Sequence, residues 1–346
     1  MEENKVDIEN KRNENSNRDK TTFISITNSD NVNNSLGSHA SNGLLRSENS
    51  WDEVTIIVPW GTVQGKWWGN RSKQPILALH GWQDNCGSFD RLCPLLDAEL
   101  PILCIDLPGH GKSSHYPKGM QYFLFWDGIC LIRRIVRKFS WKHITLMGHS
   151  LGGALSFMYA ASFPDDVDKL ISIDIAGPTV RNIERLANNT GSAIDKFLDY
   201  EDLPLSKVPC YSYQEMVKLV VDAYDGSVDE QCVKILLKRG METAPQLLDK
   251  NGYHFARDVR LKVSSLAMFT SDQVLAYAKR VRCKVLNIRA EPGMNFENPQ
   301  VYEDVIETLK QNAKLVIYIK VPGTHHVHLV NPERVAPQIN TFLLDS

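Results

Sequence analysis

No stretch of this 346-residue chain runs to about 18 consecutive apolar residues, so the sequence offers no membrane-spanning helix. An excess of one charge is also missing. Lys and Arg total 39 against 41 Asp and Glu, a formal net charge of −2, which gives no electrostatic pull toward nucleic acid or an anionic membrane. Cysteine is sparse: seven residues, an odd number, scattered singly. Cys104, Cys130 and Cys283 fall at strand or helix positions and read as buried free thiols in a reducing compartment, not as a disulfide framework or a metal site. On that reading the sequons at Asn33 and Asn188 escape glycosylation. Residues 1–48 are poor in large apolar side chains apart from Phe23-Ile24-Ser25-Ile26, and are expected to form a disordered Asn/Ser-rich tail. The opening Met-Glu-Glu-Asn-Lys lacks the apolar core of a signal peptide and the Arg-rich look of a transit peptide. The closing Leu-Leu-Asp-Ser is no peroxisomal address. The expected location is cytoplasmic.

What remains is a chain with 42 % apolar residues, enough for a sizeable core. Val54–Val58 and Thr62–Trp68 flank Pro59-Trp60-Gly61 and predict a hairpin. Continuous apolar runs of buried parallel-strand type follow at Ile76–Leu79, Ile102–Ile105, Ile144–Met147, Leu170–Ile173, Val285–Ile288 and Leu315–Ile319. Between them lie helical patterns: one from Ser88, one over Tyr122–Phe139, one after Ser150, one over Gln300–Leu309 and one over Pro332–Leu344. Strands alternating with helices imply a mostly parallel central sheet with helices on both faces. The alternation stops between 177 and 278, where Tyr213–Tyr224 and Glu230–Leu237 read as helices, so this stretch is expected to be a helical cap inserted into a core of 49–176 and 279–346.

In such sheets the reactive groups collect at the carboxyl ends of the strands. There the sequence places His80-Gly81-Trp82, Asp106, Gly148-His149-Ser150-Leu151-Gly152, Asp174, Arg289-Ala290-Glu291 and His325-His326-Val327-His328. Gly-x-Ser-x-Gly between a strand and a helix is a nucleophile elbow: a Ser on so sharp a turn needs very small neighbours two residues to either side. A Ser hydroxyl attacks only when a base takes its proton and a carboxylate orients that base. His325 is the expected base, with His326 the alternative. Asp174 and Glu291 compete for the acid. The usual place for that acid, three residues after the small residue closing the later strand, falls on Gly293, which has no carboxylate. The amides of Leu151 and Trp82 are the expected oxyanion hole, and His80, Trp82 and His149 are candidate substrate contacts. Three clustered histidines also raise a metal site, but no acidic or Cys ligand stands beside them at zinc-like spacing, so no metal and no cofactor is expected.

Ser150, His80-Gly81-Trp82, Asp106-Leu107-Pro108-Gly109-His110-Gly111 and His325, in this order, resemble the α/β-hydrolase fold over about residues 51–346. The wording of Val58-Pro59-Trp60-Gly61, His80-Gly81-Trp82-Gln83-Asp84-Asn85, Ser113-Ser114-His115-Tyr116 and Val321-Pro322-Gly323 is similar to the serine hydrolase-like proteins. That resemblance implies a serine hydrolase with Ser150 as nucleophile and His325 as base, cytoplasmic or peroxisome-associated, and suits Asp174 as acid. The expectation is hydrolysis of a small-molecule ester or thioester through an acyl-enzyme; the rival is a non-catalytic scaffold of the same fold.

Overall fold

The computed structural model describes residues 50–244, 252–263, 268–296 and 298–344; the tail expected over 1–48 lies outside the described residues. A hairpin of β1 (Trp51–Val58) and β2 (Gly61–Trp68) opens the fold, with Val58 opposite Gly61 across the turn. Then come β3 (Ile76–Leu79), β4 (Ile102–Ile105), β5 (Ile144–His149) and β6 (Val167–Ile173). A small separate pair, β7 (Met241–Thr243) and β8 (Tyr253–Phe255), precedes β9 (Lys284–Gly293) and β10 (Leu315–Thr324). The main sheet has eight strands in the order β1-β2-β4-β3-β5-β6-β9-β10. Its pairings are parallel except those made by β2.

The two-residue period of a strand divides the core between the faces. Leu77, Leu79, Leu103, Ile105 and Leu146 join one apolar cluster, with side chains of α1 (Leu124–Lys138), α2 (Leu151–Ser162), α6 (Ser271–Ala278) and α7 (Pro299–Asn312). Ile76, Ala78, Ile102, Cys104 and Met147 join the other, against Phe89, Leu92 and α9 (Ala336–Leu344). A sheet covered on both faces explains why its central strands are apolar throughout.

Between β6 and β9 run α3 (Ile183–Glu201), α4 (Tyr213–Tyr224), α5 (Glu230–Gly240), the β7–β8 pair and α6. α4 and α5 bury Met216, Val217, Val220, Val233, Leu236 and Leu237 against one another and against Leu329 of α8 (Val327–Val330). This segment therefore rests on the loop after β10. α6, inside the range read as insertion, packs differently: Val274 and Ala278 are buried in the same cluster as α2 and α7.

Three expectations need correction. The segment from Ser88 forms two 3₁₀ turns, Cys86–Phe89 and Cys93–Leu95, instead of a helix, because Pro94 has no N–H to continue one. Pro332 opens a 3₁₀ turn over Pro332–Arg334, and α9 starts only at Ala336. Cys130 is exposed: in α1 the inward stripe runs through Ile129, Leu131 and Ile132, which leaves 130 on the outer face. Every one of the seven cysteines is a free thiol; Cys93 and Cys104 share a thiol–thiol hydrogen bond at 3.6 Å between sulfurs and form no disulfide.

Candidate active site

β5 ends at His149, α2 starts at Leu151, and Ser150 makes the turn between them with φ 51° and ψ −118°. That left-handed backbone is strained for a residue with a Cβ, by about 1–3 kcal/mol. Packing holds it. Ser150 N–H donates to Ile173 O, and Gly152 N–H to His80 O. A Cβ on Gly152 would stand 2.0 Å from Leu79 O, and one on Gly148 would stand 2.3 Å from the Gly152 carbonyl, so neither position admits a side chain.

Asp174 follows β6, fully buried and itself at φ 50°. Its Oδ2 accepts from His325 Nδ1 at 2.7 Å and from Met294 N–H at 2.7 Å; its Oδ1 accepts from Ala290 N–H at 2.9 Å and from Arg289 Nη1 at 3.1 Å. Four donors thus hold one carboxylate in place. Gly293 lies against it: a Cβ there, at φ 57°, would be 2.7 Å from Asp174 Oδ1 and 2.4 Å from Ala290 O. Glu291, the other candidate acid, is more than half exposed and pairs with Lys320 at 3.0 Å. Burial lowers the pKa of His325 below the ordinary histidine value, against the upward pull of its bond to Asp174. The imidazole is therefore neutral near pH 7, and its Nδ1–H points at Asp174, which leaves the lone pair on Nε2. No hydrogen bond joins Ser150 to His325 among the described residues; unliganded sites of this kind often tighten only around substrate. Leu151 stands at the first turn of α2, and Trp82, about a third exposed, on the loop after β3.

Two expected substrate contacts are corrected. His80 is fully buried with both ring nitrogens committed: Nδ1–H donates to Gly81 O at 2.7 Å and Nε2 accepts from Leu107 N–H at 2.9 Å. His149 is also fully buried, and its Nε2–H donates to His325 O at 2.8 Å, so it ties the elbow to the base loop instead of facing substrate. His110 is structural in the same way as His80, donating to Pro108 O and accepting from Gln83 N–H, and burial pushes its pKa down to about 3. His326, the alternative base, does not reach Asp174. Its Nδ1 meets Ser227 Oγ at 2.8 Å and its Nε2 lies 3.3 Å from Asp84 Oδ2.

Sequence reasoning missed two residues. Asp84 is read there only as part of a motif and is given no chemical role, although it sits two positions after Trp82; it is buried and receives a hydrogen bond from Tyr224. Burial works to raise its pKa, but His326 and Tyr224 outweigh that and hold it below the ordinary carboxylate range. Arg239 of α5 is buried on Asp106, with Nε and Nη2 at 3.0 and 2.7 Å from Oδ2. Nothing local in the sequence marks it.

Burial lowers the pKa of His80, His110, His149, His325 and His328 alike. A histidine depressed in the folded state binds fewer protons there than in the unfolded chain, so its contribution to stability is complete above the unfolded value and drains away below it. The urea midpoint should therefore be flat from pH 8 to about 6.5 and fall steeply below, before most carboxylates titrate. A midpoint unchanged down to about pH 5 would contradict this accounting.

A parallel sheet led by an antiparallel hairpin, with a serine elbow after β5 and a histidine after β10, is the frame of an α/β hydrolase. Residues 74–201 match the family model described as alpha/beta hydrolase fold. A probable serine hydrolase of Drosophila melanogaster is 70 % identical over 302 residues, 87 % of this chain and 90 % of that protein. Serine hydrolase-like protein 2 of Homo sapiens is 34 % identical over 84 % of this chain and 93 % of its own length. The chain belongs to the serine hydrolase-like proteins of the α/β-hydrolase fold. Among solved structures, a hypothetical protein of Pseudomonas aeruginosa PAO1 superposes with a TM-score of 0.73 at 29 % identity, covering 84 % of this chain and 99 % of its own. A thioesterase domain from the curacin biosynthetic pathway, TM-score 0.70 at 19 % identity over 86 % of this chain and all of its own, shares the fold. No helix among the described residues is long and apolar enough to cross a membrane.

Proposed function

We propose that this hydrolase cleaves carboxylic esters or thioesters through an acyl-enzyme on Ser150. The observation that carries the reading is the 2.7 Å bond from His325 Nδ1 to the fourfold-held carboxylate of Asp174, at the same rim of the sheet as the strained elbow serine. In this mechanism His325 Nε2 takes the Ser150 proton as Oγ attacks the carbonyl carbon. The amides of Leu151 and Trp82 receive the developing oxyanion, helped by the N-terminal end of the α2 dipole. The protonated imidazole, stabilised by Asp174, then gives its proton to the leaving alcohol or thiol. Water attacks the acyl group by the same path in reverse, with His325 again the base. The segment between β6 and α6, with α3, α4, α5 and the β7–β8 pair, serves as a cap that selects the acyl or alcohol group. Seven unpaired thiols fit a reducing compartment, the cytoplasm.

A fluorophosphonate probe tests the nucleophile. Wild-type protein should be labelled, with the adduct mapped to Ser150, and Ser150→Ala should stay unlabelled; equal labelling of both would sink the assignment. Turnover of p-nitrophenyl acetate and butyrate separates the hydrolase from a scaffold of the same fold, because folded protein with neither labelling nor turnover would favour the scaffold. The acid can be tested separately. Glu291→Gln should leave kcat/KM within about twofold, since the exposed Glu291–Lys320 pair contributes little. A drop of a hundredfold would return Glu291 to the catalytic group.

A further inference from the structure

Asp84, on the loop after β3, His149, the last residue of β5, and His326, on the loop after β10, converge, and all three are buried. One donor atom from each lies within 4.8 Å of the others. Asp84 Oδ2 is 3.3 Å from His326 Nε2 and 3.8 Å from His149 Nδ1. Four-coordinate zinc with bonds of about 2.0–2.1 Å sets its ligand atoms about 3.3–3.4 Å apart, so the two carboxylate-to-imidazole spacings already approach that value and the two imidazole nitrogens close in from within 4.8 Å.

The hydrogen bonds argue further than the distances. His149 Nε2 faces the carbonyl oxygen of His325, which can only accept, so the proton of the neutral ring is on Nε2. Nδ1 is then a bare lone pair, and the nearest charged atom in front of it is a carboxylate oxygen. Both His149 Nδ1 and Asp84 Oδ2 are buried without a hydrogen-bond partner among the described residues. His326 Nε2 lies 3.3 Å from Asp84 Oδ2 and in the metal-free protein can share its proton with that oxygen; a cation bound between the two would displace the proton. Two electron-rich atoms facing one another away from water are unfavourable unless something positive lies between them.

The outer contacts are those of a ligand set. Tyr224 donates to the other oxygen of Asp84, Ser227 Oγ holds Nδ1 of His326, and the His325 carbonyl holds Nε2 of His149. Each ligating side chain thus has its second polar atom fixed by protein, the arrangement that orients metal-binding imidazoles and carboxylates. Arg257, whose charge reaches Asp84 and Tyr224, works against a cation here but makes no direct contact with the three donors.

We propose that Asp84 Oδ2, His149 Nδ1 and His326 Nε2 form a site for one divalent transition cation of the zinc class. Two imidazoles and a carboxylate select borderline cations over Ca²⁺ or Mg²⁺, which prefer all-oxygen sets. His149 adjoins Ser150 in the chain and His326 adjoins His325, so a cation there clamps the elbow loop to the base loop. It needs no role for Ser150 in catalysis, and the site stands or falls apart from the hydrolase reading.

Because the donors are buried, the full-length protein is stripped by chelator in mild urea and refolded with or without Zn²⁺, then freed of loose metal by gel filtration. One Zn²⁺ per chain and a raised thermal midpoint are expected, with Ser150→Ala retaining both. Asp84→Asn and His326→Gln should each weaken binding by at least about 100-fold. Co²⁺ refolded into wild-type protein should give visible d–d bands without the near-ultraviolet charge transfer of thiolate ligation, a readout that needs no variant. No retained metal, thiolate charge transfer, or affinity unchanged in both variants would overturn the site.

Discussion

Asp174→Asn should lower kcat/KM by about 10⁴-fold, the scale on which a serine–histidine pair fails when its acid becomes an amide. The cause is the tautomer. Asp174 Oδ1 accepts from Ala290 N–H and Arg289, which would hold the amide oxygen of an asparagine on that side. Its NH₂ would then replace Oδ2 and face two donors, Met294 N–H and His325 Nδ1–H. The imidazole relieves that conflict by moving its proton to Nε2, and a protonated Nε2 cannot accept from Ser150. Hydrolysis of p-nitrophenyl butyrate by the variant measures the loss, with circular dichroism to confirm the fold. A loss under tenfold would remove Asp174 from the mechanism. In the wild-type enzyme the acid limb of kcat/KM should lie below pH 6.5, because burial lowers the pKa of His325 and only the neutral ring accepts a proton.

Arg239→Ala should cost about 3–5 kcal/mol of stability, the usual penalty for stripping the partner from a buried charge. Asp106 is fully buried and keeps only the amides of Cys86 and Lys112 once the guanidinium is gone. Burial works to raise the Asp106 pKa, but Arg239 outweighs it and lowers the net value, so this stability is present above the unfolded carboxylate pKa and is lost as pH falls through the folded one. In the variant, burial acts on Asp106 without Arg239 to oppose it and raises its pKa, so the variant's carboxylate takes up a proton first and the deficit should already be smaller at pH 4.5. Urea unfolding at pH 7 and pH 4.5 checks both statements, and pairing Arg239→Met with Asp106→Asn should recover part of the loss. A deficit under 1 kcal/mol at pH 7 would show Asp106 to be satisfied without Arg239. The pair also joins α5 to the end of β4, so its loss should loosen the inserted segment before the sheet.

Legibility in the sequence followed the range of the interaction. The elbow was readable because every group that shapes it lies within a few residues: Gly148 and Gly152 meet backbone atoms that admit no side chain. The strands were readable because both faces of the sheet are covered, so each appears as an unbroken apolar run. The choice between Asp174 and Glu291 was not readable, because it turns on β6 lying beside β9 in the register Ile173 to Ile288, which presents Asp174 to the Ala290 and Met294 amides. His80 and His149 were misassigned for the opposite reason. They sit in the chain where substrate contacts belong, and only the tertiary structure shows their nitrogens spent on main chain. Asp84 gained a role only when two loops and the end of β5 met.

Gly293 occupies the position where acids of this fold are usually carried, and its missing side chain leaves the space that the Asp174 carboxylate fills. Two adjacent strands therefore address a single volume, and it admits one carboxylate. A Cβ at 293 would stand 2.7 Å from Asp174 Oδ1 and 2.4 Å from the main-chain oxygen of Ala290, so a carboxylate on this strand needs a different backbone path there and not only an empty Asp174 pocket.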